Sequence, residues 1–200
     1  KKCICAIDLA SHSDFNAYGL FFPDEMVYYV RYFIPKGAVK DEYQEFIKEG
    51  EVILTDGDTI DIDFMVDYIM EDLQNYDLEK IAFDPFKAYH GVIQGLTNAG
   101  LGDYLIEYAQ GISFTSEPMK LIEKIVREGG FNFLGNKTLM WNFRNIVIYT
   151  DAQGNIRPNK REIKRKIDGI SALIMVVGIW MKPKEEKIAY KDRELRILSL

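Results

Sequence analysis

The chain has 200 residues, 48% of them hydrophobic and 13% aromatic, enough to bury a substantial core in one domain and too apolar for a disordered segment. Its 25 Lys and Arg against 31 Asp and Glu leave a net charge of −6, which argues against a protein that coats nucleic acid non-specifically but allows one local basic face. Cys3 and Cys5 match no metal-ligand or redox spacing and read as buried, reduced hydrophobes in a cytosolic setting. The longest near-apolar run, residues 170–181, falls short of the roughly 20 that a bilayer requires, and no signal peptide is visible, so no membrane is expected. Two lysines run straight into a strand, as in a domain excised from something longer.

Residues 3–7 form an apolar run ending at Asp8, the pattern of a buried central strand. Residues 17–22 and 26–34 are two further strands joined by a turn at Pro23-Asp24, so the chain opens with a meander. Tyr43, Phe46 and Ile47 predict a short helix that stops at Gly50, and residues 55–58 a turn. Ile62, Met65, Val66, Ile69, Met70 and Leu73 recur at helical spacing, with Asp61 or Asp63 as cap. A strand over residues 80–83 ends at Asp84 and is closed by Pro85. A helix over 87–98 and a strand over 104–108 follow. Thr115 or Ser116 caps the next helix, which Gly129-Gly130 ends. Residues 139–144 read as helix, and 146–149 and 155–157 as a hairpin around the turn 151–154. The last helix, from about 162 to 181, is apolar nearly all round after Asp168 and should be buried. A meander followed by alternating helices and strands predicts an α/β fold, a mixed central sheet with helices on both faces and an added hairpin.

Three acids stand in unusual places. Asp8 and Asp84 each end an apolar strand, and Asp168 opens the buried part of the final helix. Sites in open α/β sheets form at the carboxyl ends of strands, where two such carboxylates could be met by a third from a packed helix. Carboxylates that close repel one another and need a compensating cation. Oxygen-only ligands select hard ions, so two Mg²⁺ or Mn²⁺ are expected on Asp8, Asp84 and Asp168. Such a pair of ions can activate water and stabilise the leaving oxygen in phosphodiester cleavage. Asp14, just beyond Asp8, is a possible accessory group.

Arg157, Lys160, Arg161, Lys164, Arg165 and Lys166 cluster immediately before Asp168 in an otherwise acidic chain. This placement predicts contacts to the phosphates of double-stranded DNA, with Lys160 a possible accessory to the chemistry. His12 and His90 read as surface or packing residues. Residues 130–138 superficially resemble a phosphate-binding loop, but Asn136 separates the glycine from the lysine and the segment follows a helix end where a strand is required. No ATP hydrolysis by this chain is expected.

In order along nearly the whole chain, these segments resemble the nuclease domain of the large terminase subunit of tailed bacteriophages. The matching stretches are residues 6–10 with Asp14, 49–58, Phe83-Asp84-Pro85, 116–120, 142–148, 151–160 and 166–173. The resemblance implies a ribonuclease H-like fold over residues 1–182 and a charged carboxy-terminal tail over 183–200. It also implies two-metal endonuclease activity on concatemeric viral DNA in the bacterial cytoplasm, and places the metal ligands on Asp8, Asp84 and Asp168. The partners it implies are an amino-terminal packaging ATPase domain, the small terminase subunit, and a portal engaged through residues 190–198. Phe86, where a tryptophan is expected, and Glu194, where a glycine is common, depart from the pattern. A junction resolvase or transposase of the same fold, an actin-like ATPase and a non-catalytic docking module are the competing readings.

Overall fold

The opening apolar run becomes the centre of a six-stranded mixed sheet. The computed structural model describes residues 1–10, 14–86, 91–159, 162 and 165–182. Strands β1 (Lys2–Asp8), β2 (Asn16–Phe22) and β3 (Val27–Pro35) pair antiparallel in sequence order, the predicted meander. A short helix α1 (Gln44–Lys48) returns the chain to β4 (Val52–Thr55), which lies parallel to β3. Helix α2 (Ile62–Leu73) then crosses to β5 (Asp77–Phe83), parallel to β1, and β6 (Leu105–Glu107) adds to the far edge. The strand order is β4-β3-β2-β1-β5-β6. Of the two candidate caps for α2, Asp61 is the one used: its carboxylate accepts from the Phe64 amide at 3.0 Å.

Strand alternation assigns the two faces. Cys3, Cys5 and Ile7 point with Tyr18, Leu20 and Phe33 towards α2 and the short helix α3 (Val92–Leu96). Ile4 and Ala6 point with Ala17, Phe21, Tyr28 and Tyr32 to the opposite face. There lie α4 (Ile112–Arg127), α5 (Lys137–Asn145) and the buried α6 (Asp168–Trp180). Helices therefore cover both faces, as predicted. Both cysteines are buried and free, and burial pushes the Cys3 thiol up to about 12.

A close approach helps fix α6. Tyr108 lies where a Cβ on Gly178 would sit, and its hydroxyl donates to the Phe114 carbonyl at 2.6 Å. That carbonyl is available because Pro118, four residues on, has no N–H to give it. The hairpin, β7 (Ile148–Thr150) with β8 (Ile156–Pro158), forms a separate ribbon. Its turn is built on Asp151, whose carboxylate accepts from the Gln153 and Asn155 amides and from the Asn155 side chain.

Four elements differ from expectation. Residues 52–55, of which Thr55 is expected in a turn, form β4. Helix α4 starts at Ile112, so Thr115 and Ser116 lie inside it and turn to the hairpin instead: Thr115 Oγ1 donates to the Ile156 carbonyl, and Ser116 Oγ accepts from the Ile156 amide. In the stretch predicted as one helix over 87–98, the described helix is α3, entered through Gly91 in the left-handed region (φ 75°). Residues 87–90, with His90, lie outside the described residues, as do His12 and the tail 183–200. Finally, α6 begins at Asp168, not near 162. A run of cations at a helix N-terminus opposes the helix dipole, and the Lys166 carbonyl is held by the side-chain amides of Asn142 and Asn145.

Candidate metal centre

The parallel pairing of β1 with β5 aligns Ile7 with Phe83, so Asp8 and Asp84 stand side by side at the carboxyl ends of adjacent strands. Neighbouring strands lie about 4.8 Å apart. Asp8 shares the face of Ile4 and Ala6, and the same alternation carried past Phe83 turns Asp84 with Ala82 towards α6. Helix α6 packs across β1, β2 and β5 and starts at Asp168. All three carboxylates are buried, at 1%, 5% and 9% exposure for Asp8, Asp84 and Asp168.

Local bonds orient them. Asp84 Oδ1 accepts from the Phe86 amide at 3.1 Å in the turn that Pro85 starts. Asp8 Oδ1 receives Gln110 Nε2 at 3.4 Å. Gln110 also lines a small cavity with Thr115, Arg157 and Ser171, which sets the hairpin against the first turn of α6 beside Asp8. The Arg157 guanidinium lies 5.0 Å from the centre of the Tyr149 ring. Beyond β1, Asn16 ties the loop together: its Oδ1 accepts from the Ala10 amide and its Nδ2 donates to the Asp14 carbonyl.

A family model described as "Terminase large subunit, endonuclease domain" matches residues 1–185. The chain belongs to that family. It is 28% identical to Protein YmfN of Escherichia coli (strain K12) over 207 aligned residues, spanning 93% of this chain and 45% of YmfN. It is 29% identical to the terminase large subunit of Enterobacteria phage HK97 over 139 residues, spanning 68% of this chain and 27% of that protein. The crystal structure of the HK97 large terminase superposes with a TM-score of 0.75 at 24% identity, over 90% of this chain and 39% of that one. Two isolated terminase nuclease domains also superpose. That of phage G20c with bound magnesium has a TM-score of 0.58 at 12% identity, over 88% of this chain and 80% of that one. That of bacteriophage SPP1 with bound Mn has a TM-score of 0.55 at 11% identity, over 90% and 88%. These structures establish the ribonuclease H-like fold. The chain spans less than half the length of YmfN and of the HK97 subunit.

In this terminase nuclease domain the donor chemistry suits a hard cation: three buried carboxylates, no thiolate and no imidazole among the predicted ligands. Among the described residues, no group of three or more His, Cys, Asp or Glu side chains is already drawn together as an ion's ligands would be. The predicted accessory Asp14 and the predicted DNA contact Lys166 form an ion pair with each other. Arg157 stands beside the centre, and Arg165 is exposed in a bend before α6. Lys160, Arg161 and Lys164 lie outside the described residues. The segment 130–138 is a loop that leads into a helix start: Asn136 caps α5 by accepting from the Leu139 amide at 2.7 Å, and Lys137 pairs with Glu45 and Glu49.

Sequence reasoning missed the polar residues around these acids. Gln110 sits in an unpatterned loop and gives no signal. Asn142 was detectable in principle, as an amide within the apolar run Leu139-Met140-Trp141-Asn142-Phe143, and the structure buries it fully beside Thr138 and Leu139. Its bonds need Tyr32 and the start of α6, both far away in sequence.

Proposed function

We propose that this terminase nuclease domain is a divalent-metal-dependent endodeoxyribonuclease that cuts concatemeric phage or prophage DNA by two-metal phosphodiester hydrolysis. Asp8, Asp84 and Asp168 are its metal ligands. The observation that carries the reading is the register of β1 on β5, which sets the buried Asp8 and Asp84 side by side at the carboxyl ends of adjacent strands. The magnesium and Mn bound in the G20c and SPP1 nuclease domains support the choice of ions.

Bound there, the ions would supply Lewis acidity, lowering the pKa of water and neutralising charge on the leaving oxygen. The protein's part is to hold and orient. The Gln110 amide turns the Asp8 carboxylate, and the Phe86 amide fixes that of Asp84. Arg157, Lys160, Arg161, Lys164, Arg165 and Lys166 bind the phosphates, Arg157 from the hairpin beside the centre. Lys160 is an accessory that neutralises developing charge. Asp14 restrains Lys166 and so belongs to the same basic edge. The wider partners are double-stranded DNA, an amino-terminal packaging ATPase domain, a portal and the small subunit, in the host cytoplasm. Among the described residues no helix is long and apolar enough to cross a membrane.

Plasmid cleavage with Mg²⁺, Mn²⁺ and Ca²⁺ tests this reading. Nicking is expected with the first two ions and not without metal. Asp8→Ala, Asp84→Ala and Asp168→Ala are each expected to come close to abolishing it while their circular dichroism stays native. A wild-type rate in any one of them removes that residue from the ligand set.

A further inference from the structure

The start of α6 is held by a buried polar cluster that the proposed chemistry does not use. Asn142 is fully buried, and its Oδ1 accepts from the Gly169 amide and from the Tyr32 hydroxyl, both at 3.0 Å. Its Nδ2 donates to the Lys166 carbonyl at 3.1 Å. The Tyr28 hydroxyl, also buried, donates to the Gly169 carbonyl at 2.9 Å. The backbone is therefore gripped two residues before Asp168 and again immediately after it.

Two glycines make room for this grip. A Cβ on Gly169 would overlap the Tyr32 hydroxyl and crowd Asn142 Oδ1, and a Cβ on Gly19 would overlap the Tyr28 hydroxyl. Gly19 pairs with Ala6, two residues before Asp8, so the tyrosines of β3 reach across β2 to the helix start beside β1. A helix-terminal amide has no partner within its own helix, and the Gly169 amide finds one in a side chain. Burying this many polar atoms costs stability unless all are paired. A cluster placed only for packing could have been apolar.

We infer that Asn142, with Tyr28 and Tyr32, is a positioning residue: it sets the backbone that aims the Asp168 carboxylate at the metal centre. This rests on the reading of Asp168 as a ligand. Residues that orient ligands typically change metal affinity 10- to 100-fold when lost. Asn142 acts through the peptide groups flanking Asp168.

The test is calorimetric titration of Mn²⁺ into the full chain and its Asn142→Ala, Tyr28→Phe, Tyr18→Phe and Asp84→Ala variants, with thermal melts of each. Tyr18 is the control: it is equally buried and hydrogen-bonded, to Asp72 at 3.0 Å, but on the opposite face of the sheet. Asn142→Ala is expected to weaken Mn²⁺ about 10-fold or more, and Tyr28→Phe to weaken it measurably. Tyr18→Phe should lower the melting temperature and leave Mn²⁺ affinity unchanged. Tyr28→Phe removes one oxygen and decides the matter if Asn142→Ala does not fold. If Asp84→Ala abolishes binding while Asn142→Ala and Tyr28→Phe bind as wild type, the positioning role is wrong and the metal centre stands. Equal weakening in Tyr18→Phe also overturns it, by reducing the effect to general stability. A wild type that binds no Mn²⁺ removes the metal centre and the positioning role together.

Discussion

Buried carboxylates occur here in two kinds of setting, and Glu51 defines the structural one. Its Oε1 accepts from the Lys137 amide at 2.8 Å, and its Oε2 from the Thr138 amide and hydroxyl, both at 2.7 Å. Those amides open α5, so a negative charge there meets the positive end of the helix dipole as well as its orphan donors. Asp8, by contrast, meets a longer side-chain bond from Gln110, beside a second carboxylate on the next strand. Short bonds to helix amides mark Glu51 as a carboxylate that stabilises the fold. Glu51→Ala should therefore lower the unfolding free energy by about 2 kcal/mol, the sum of a lost cap and charge-assisted bonds. Urea titration at unchanged slope would read it. Glu49, exposed and paired with the same Lys137, serves as comparison, and Glu49→Ala should leave the midpoint where it was. Equal midpoints for the two variants would show that the buried bonds add nothing.

At the scale of elements, the hairpin depends on its turn more than on its strands, which are three residues each and largely exposed. The Asn155 side-chain amide, with the Asn155 and Gln153 backbone amides, holds Asp151 below the usual carboxylate range. A depressed carboxyl pKa contributes stability that is present above the ordinary value near 3.9 and lost as pH falls through the lowered one. The Gly154 and Asn155 amides should thus exchange with solvent faster as pH drops below about 4, after correction for intrinsic rates. In Asp151→Ala they should exchange fast already at neutral pH and lose this dependence. A flat profile in the wild type would place the turn's stability elsewhere. This hairpin was legible in the sequence because its signal is local: Asp and Gly at turn spacing between short β-forming runs. The meander, α2 and its Asp61 cap were legible for the same reason. The strand β4 was not, because four residues show no period and its place is set by pairing with β3. Nor was the start of α4, where Thr115 and Ser116 resemble caps and instead bind Ile156, forty residues away. The positions of Asp8 and Asp84 were legible from the apolar strands they follow, and that of Asp168 from the apolar helix it opens. Gln110 gave no signal, and the partners of Asn142 are set by tertiary contact alone.

For the molecule as a whole, charge distribution decides how it would meet DNA. The chain carries −6 overall, yet the six cations between residues 157 and 166 lead straight into Asp168. A net negative charge disfavours phosphate contact in general, so a local basic run is where an encounter with DNA is expected. The salt dependence of binding counts phosphate contacts: each contributes roughly 0.9 to the slope of log affinity against log salt on duplex DNA. Arg157→Ala should lower that slope by about one. Its loss also frees the Tyr149 ring, while Asp8, Asp84 and Asp168 keep their own supports, so Mn²⁺ affinity should not change. Lys160→Ala separates binding from chemistry. A lysine that only holds DNA raises the concentration needed for half-maximal cleavage and spares the rate at saturation, whereas one that neutralises developing charge lowers the saturated rate itself. The second outcome is expected for Lys160 and the first for Arg157. Cleavage measured across DNA concentration at three ionic strengths distinguishes them, because a binding defect is relieved at low salt and a transition-state defect is not. If both variants keep wild-type slopes and saturated rates, the basic run is only a solvated surface and the DNA must lie elsewhere on the domain.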